Sequence, residues 1–360
     1  MKILHIINSL HTGGAEKLIV ENIIFHQKNG KQMDVLSLSN TKTPFWKELE
    51  KELTGEIFGL SSGSVYNPFL VFKIIPFLRK YDILHVHLFP SLYLVALAKV
   101  LSFSKIKFVY TEHNTNNKRR DFLVFKFIDR FIYSMYDKLI TIAEEVDFNL
   151  KKHLQFNVSK FVLIKNGVNL DMFYQAIPYP KSCFFNLNDN LLIQVSSFTS
   201  QKDQSTLIKS LLFLSDNTKL LLVGEGMNRK KCEELVVKLK LSDRVLFLGV
   251  RTDVPRLLKT CDIIVLSSFF EGLSLSSIEG LASGNPFIAS DVPGLKKVVK
   301  GAGLLFPQGD VKILSTQINK LLNDPIHYSK ISRLCLDRSK QYDISIMAQH
   351  HMELYKSLIK

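Results

Sequence analysis

Short apolar runs alternating with helical patterns along almost the whole chain predict an α/β protein of two doubly wound parallel-sheet domains. The 360 residues, 46% hydrophobic and 22% charged, are enough for two ordinary domains, each with its own core. Candidate strands lie at 3–7, 33–38, 83–87, 108–111, 139–142 and 161–164 in the first half, and at 191–195, 220–223, 245–248, 263–266 and 287–289 in the second. Helical stretches of about ten to fifteen residues between strands imply parallel pairing through crossovers, hence two Rossmann-like units. The two sets part at 169–189, which loses periodicity and collects prolines and asparagines. The expected organisation is a first domain at 1–168, a linker at 169–189 and a second domain at 190–343. A last helix at about 344–360 has apolar residues at helical spacing and needs a surface to cover.

Composition narrows the function. Cys183, Cys232, Cys261 and Cys335 stand far apart without ligand-like pairing, so neither a disulfide framework nor a zinc site is indicated, and a reducing cytoplasm fits. MKILHIINSLHTGG reads as a strand breaking into a glycine turn rather than a signal peptide. The apolar run 90–101 is too short to span a bilayer and contains Lys99, so no membrane-spanning segment is expected. The net charge of +14 is uneven: residues 65–138 hold twelve Lys/Arg against five Asp/Glu, interleaved with aromatics in NPFLVFKIIPFLRKY and KRRDFLVFKFIDRFIYSMYDK. Two readings fit this stretch, a peripheral contact with an anionic membrane surface or a solvated basic face backed by core aromatics; nucleic acid is not the expected partner.

Ligands of open α/β sheets sit at the carboxyl ends of the strands, so the chemistry belongs in those loops. After 3–7 comes NSLHTGGAEK, where Gly13 and Gly14 permit close backbone approach and the helix start offers free amides; it is either a phosphate loop or a tight turn. The dinucleotide pattern G-x-G-x-x-G is missing, and Gly224-Glu225-Gly226 supplies two of its three glycines. The richest stretch is IIVLSSFFEGLSLSSIEGLASGNPFIASDVPG, residues 263–294, a buried strand, a loop with Glu271 and a helix with Glu279. Ser276-x-x-Glu279 has capping-box spacing, yet Glu279 also falls beside the helix's apolar stripe of Leu275, Ile278 and Ala282, where a carboxylate needs partners.

That stretch, with LHIINSLHTGGAEK, DILHVHLF, VYTEHNT, LIKNGVNLDMF, QVSSFTSQKDQSTLIKSL, LLVGEGMNR and GAGLLFPQGD in order, resembles the group-1, family 4 nucleotide-sugar glycosyltransferases over nearly the whole chain. The resemblance implies the GT-B fold, two Rossmann-like domains facing a central cleft, with the last helix packing back on the first. It further implies that Glu279 binds the ribose hydroxyls and Glu271 the donor sugar, while the backbone of Gly272, Leu273 and Ser274 faces the phosphates. Lys202 would neutralise the diphosphate, Gly13 and Gly14 would line the donor site, Val250 and Arg251 would flank the base, and His113 would contact the reacting sugar. One position departs: Ser197 stands where many members have an arginine, so one diphosphate cation is missing. His85 and His87 read as turn residues with satisfied rings.

The reaction expected from the resemblance is retaining transfer of a hexose from a nucleoside diphosphate, UDP above all, to a glycan or lipid-linked acceptor in surface polysaccharide assembly. Cleaving the sugar–phosphate bond puts negative charge on the departing diphosphate, for which Lys202 and the helix start near Ser274 are suited. No Asp-x-Asp occurs in the chain, and neither metal nor cofactor is expected. A nucleotide-sugar epimerase and a non-catalytic glycan- or nucleotide-binding module are the alternatives.

Overall fold

The computed structural model describes residues 1–11, 13–114 and 118–359. The chain divides into two compact units, Met1–Gly167 with Ile344–Lys360, and Val168–Asp343. The first holds the strands β1 (Ile3–Ile7), β2 (Met33–Ser39), β3 (Ile57–Ser61), β4 (Ile83–His87), β5 (Lys107–Glu112), β6 (Lys138–Thr141) and β7 (Phe161–Leu163). The second holds β8 (Asn190–Val195), β9 (Thr218–Val223), β10 (Val245–Gly249), β11 (Ile263–Leu266), β12 (Phe287–Ser290) and β13 (Leu304–Phe306). Spatial order is β3-β2-β1-β4-β5-β6-β7 in one sheet and β10-β9-β8-β11-β12-β13 in the other, with every pairing parallel. Each sheet therefore winds outward both ways from its first strand, which puts a topological switch point between β1 and β4 and another between β8 and β11.

The central strands are buried from end to end because helices cover both their faces: every residue of β1, β4 and β11 is buried, and the three polar residues among them are His5, His85 and His87. The sequence reading missed β3 and β13. Both end their sheets, so one side lacks a neighbour; β3 is only partly buried along IFGLS, and β13 is three residues long. Neither leaves the continuous apolar run of a central strand. The stretch 169–189, expected as a linker, carries a helix at Leu170–Tyr174 whose Leu170 and Phe173 join the second unit's core. Lys181 of the same stretch pairs with Asp262 at 2.6 Å, so these residues pack with the second unit.

In the first unit the helix Ile344–Ile359 packs against the helix Gly14–Lys28 and is fixed to the sheet by Tyr355, whose hydroxyl lies 2.6 Å from Nδ1 of His85. The two arginines that open KRRDFLVFKFIDRFIYSMYDK, in the stretch read as a membrane contact or a solvated basic face, are turned to internal acids. Arg120 pairs with the buried Glu112, and Arg119 stands 3.5 Å from the buried Asp129 with its guanidinium over the rings of Phe89 and Tyr93. These side chains anchor the segment that enters the helix Leu123–Ser134, and the side chain of Lys118 lies outside the described residues. Among the described residues no helix is long and apolar enough to cross a membrane.

Candidate active site

In the second unit two loops leave the carboxyl ends of β8 and β11, on either side of the switch point, and are tied together. Phe269 N–H donates to the Gln201 carbonyl at 2.7 Å, and Gln201 Nε2 donates to the Phe270 carbonyl at 2.8 Å. Lys202 from one loop and Glu271 from the other meet here, Nζ to Oε1 at 2.5 Å, with Ser268 Oγ donating to the same carboxylate oxygen at 2.6 Å. Both side chains are largely buried. A buried polar frame holds the lysine's backbone: Gln194 Nε2 donates to the Lys202 carbonyl, Ser267 Oγ donates to Gln194 Oε1, and Gln204 Nε2 bridges Ser196 Oγ and the Ser197 carbonyl.

Glycines permit the close approach. A Cβ on Gly224 would strike the Ser196 carbonyl, and one on Gly294 would strike the carbonyls of Glu271 and Gly272. Gly224 also holds a φ of +132°, so its place in GEG answers to backbone packing against the Ser197 loop. Ser197 itself is exposed.

Gly272, Leu273 and Ser274 lead directly into the helix Leu275–Ala282, whose N-cap is Ser274. With the cap at 274, Ser276 sits inside the first turn and the capping-box reading of Ser276 and Glu279 fails. Glu279 is 4% exposed on that helix. Val250 and Arg251 follow β10, two strands from β8. Val250 is exposed, while Arg251 makes two bonds of 2.8 and 2.6 Å to Asp253, drawing that carboxyl down to about 2, with Tyr179 donating at 2.7 Å. The guanidinium is thus committed within its own loop.

In the first unit Gly13 caps the helix Gly14–Lys28, and the Glu16 side chain folds back over it, its pKa raised by burial. His113 follows β5 and lies 3.2 Å (Nε2) from His87 Nδ1; His87 Nε2 is 3.1 Å from His5 Nδ1. His85 has both nitrogens bonded, to Tyr355 and to Thr111 Oγ1 at 2.6 Å. His85 and His87 are therefore buried strand residues and not turn residues, and His87 is the partner the sequence reading overlooked. Its alternation with His85 in ILHVH, on the face that His5 shares by register, was the available signal.

Burial holds His5 near 3 and His113 near 4, and His87 well below its ordinary value, so all three rings are neutral at pH 7. His5 Nε2 has no hydrogen-bond partner among the described residues. A buried N–H without an acceptor costs more than a bare lone pair, so the chain is expected to run from His5 Nδ1–H to His87 and from His87 Nδ1–H to His113 Nε2. His113 then carries its proton on Nδ1. His5, His85 and His87 also lie close enough for one metal ion, but both His85 nitrogens are already committed.

A cation and a carboxylate thus meet across a switch point, followed in the chain by a helix start and a second buried glutamate. The family follows from two matches, the model for Glycosyltransferase Family 4 over residues 12–172 and that for Glycosyl transferases group 1 over residues 178–334: the chain belongs to the group-1, family 4 glycosyltransferases. It is 29% identical over 247 residues to N,N'-diacetylbacillosaminyl-diphospho-undecaprenol alpha-1,3-N-acetylgalactosaminyltransferase of Campylobacter jejuni, covering 66% of this chain and 63%, less than two thirds, of that one. It is 28% identical over 262 residues to the putative glycosyltransferase EpsD of Bacillus subtilis, covering 68% of each chain. It is also 28% identical over 265 residues to UDP-Gal:alpha-D-GlcNAc-diphosphoundecaprenol alpha-1,3-galactosyltransferase of Escherichia coli, covering 69% and 68%. The fold is that of Anabaena HepE, solved in complex with UDP-glucose, with TM-score 0.84 and 20% identity over 99% of this chain and all of that one.

Proposed function

We propose that this protein transfers a hexose-type sugar from a UDP-sugar to a glycan or lipid-linked acceptor, with retention, in surface polysaccharide assembly. The Lys202–Glu271 contact carries the reading. A donor sugar is joined to its diphosphate through one oxygen, so it asks for a cation and a hydroxyl acceptor side by side, as these two groups stand. The named activities of the Campylobacter and E. coli relatives, both on diphospho-undecaprenol substrates, support the acceptor class, and the UDP-glucose complex of HepE supports the donor. In this reading Lys202 and the helix start at Ser274 stabilise the departing diphosphate, whose oxygen takes the acceptor's proton as the new bond forms on the same face. Glu279 holds the ribose, the backbone at Val250 and Arg251 the base, and neutral His113 donates from Nδ1 to a hydroxyl of the reacting sugar. No metal enters the scheme.

The two glutamates test it. Titration calorimetry with UDP and with UDP-glucose should show Glu279→Ala weakening both ligands by roughly 10- to 100-fold, the worth of hydrogen bonds to a charged group, whereas Glu271→Ala weakens only the sugar nucleotide. Equal loss of UDP affinity in both variants would refute the assignment. Incubation of UDP-sugar without acceptor separates an epimerase, which would still convert the sugar, from a transferase.

His87 is read as a positioning residue. His87→Phe is expected to lower kcat roughly tenfold at nearly constant KM, because His113 loses the bond that sets its tautomer. Nitrogen-15 spectra of His113 should show one Nδ1–H form in the wild type and a mixture in the variant; unchanged spectra would reduce His87 to packing.

A further inference from the structure

The three helices Leu70–Ile74, Ser91–Ser102 and Leu123–Ser134 lie side by side on one face of the first unit's sheet. Their inner sides supply the core, with Ile74, Val95 and Tyr133 buried. Their outer sides are unusual. On the last helix Val124, Phe127, Ile128 and Phe131 follow the spacing i, i+3, i+4, i+7 and are 67%, 73%, 39% and 53% exposed. Phe69 and Phe72 at the first helix are 70% and 62% exposed, and Leu97 and Leu101 stand out from the middle one. A soluble surface scatters such side chains singly, whereas here one helix layer collects them. The helix Leu123–Ser134 is apolar on both faces, with one covered by the protein.

Charge identifies what covers the other. Among the described side chains of residues 65–138 the exposed charges are Lys73, Arg79, Lys80, Lys105 and Arg130 against the single acid Asp82. A second copy bringing the same face would set like charges opposite one another. An anionic bilayer surface would attract them and accept the phenylalanines.

We propose that this three-helix layer is a membrane-insertion face, in which Phe127, Ile128 and Phe131 enter the acyl boundary in the plane of the bilayer and the surrounding lysines and arginines meet anionic headgroups. The attachment differs from electrostatic adsorption through Arg119 and Arg120, whose charges are used internally, and it does not depend on the donor chemistry proposed above.

The test is co-sedimentation of the full chain, without nucleotide, with vesicles of phosphatidylcholine alone and of phosphatidylcholine with phosphatidylglycerol. The wild type should bind the mixed vesicles and keep part of that binding at about 1 M salt, where charges are screened beyond about 3 Å. The triple variant Phe127→Ser, Ile128→Ser, Phe131→Ser should bind at least about tenfold more weakly, since each phenylalanine gives up its apolar burial. Phe127→Trp supplies a second readout that needs no loss of binding: its emission should be quenched by lipids with brominated acyl chains, while Trp46, buried in the helix Pro44–Glu52, stays bright. Equal binding of the triple variant, absence of quenching, or binding lost entirely at high salt would overturn the proposal. So would a wild-type dimer that the triple variant dissociates without any vesicle binding, which would assign the face to a second copy.

Discussion

Lys202→Ala is expected to reduce turnover by about 10³-fold, the upper end for removal of one preorganised charge stabiliser. Ser197 brings no charge to the neighbouring loop position, so the departing diphosphate depends on Lys202 more than it would in a chain with two cations there. The substitution also leaves Glu271, buried and within 2.6 Å of Ser268, without its cation, and an uncompensated buried carboxylate costs about 3–5 kcal/mol of stability. Activity would then fall for two reasons. The double variant Lys202→Ala, Glu271→Gln separates them: it should recover the melting temperature and remain inactive. Ser197→Arg in the Lys202→Ala background should restore part of the turnover, because Ser197 is exposed on the loop that leads to Lys202 and a guanidinium there can reach the same phosphates. A full-rate Lys202→Ala enzyme would show that the diphosphate is held by other groups.

Much of this site was legible because its parts are local. Glu271, the turn to Ser274 and Glu279 lie within a few residues on one strand–loop–helix unit, and the glycines around them are punctuation that a sequence displays openly. The central strands were legible for a related reason: burial on both faces writes an apolar run into β1, β4 and β11, unbroken in β11 and interrupted only by histidines in β1 and β4. What the sequence concealed depends on side chains brought together from afar. Lys202 and Glu271 are 69 positions apart, and nothing in either motif states that they touch. Arg119 and Arg120 read as a surface pair because charge patterning counts residues without their partners; Glu112 and Asp129 are ordinary acids until the fold buries them beside those guanidiniums. The histidine chain is harder still. His5, His87 and His113 come from three strands or their ends, and only parallel register aligns His5 with His85 and so sets His87 within reach.

The same histidines are expected to make the first unit acid-labile. Nine of the ten histidines lie in its residues and His327 alone in the second unit. Burial lowers His5 to about 3 and His26 and His113 to about 4, and lowers His85, His87 and His351 well below the ordinary value. A histidine near 6.5 when unfolded and lowered when folded binds its proton only on unfolding, so its stabilising contribution is complete above pH 6.5 and is lost as pH falls toward the folded value. His5, His26 and His113 alone would take up three protons, a slope of at most about 4 kcal/mol per pH unit between pH 6 and 4, or about 2 kcal/mol per ring by pH 5. By pH 5 the three rings together reach the lower part of a domain stability of about 5–15 kcal/mol, so the unit is expected to unfold between about pH 5 and 4. Trp46, the single tryptophan, is buried in the first unit and reports on it alone. Its emission should therefore shift at a higher pH than the far-ultraviolet circular dichroism loses the second unit's share. His26→Phe, which removes a buried ring whose Nε2 has no partner among the described residues, should flatten the pH dependence by one proton's worth. Coincident acid transitions for the two probes, or a native Trp46 spectrum down to pH 4, would show that the buried rings titrate without opening the fold.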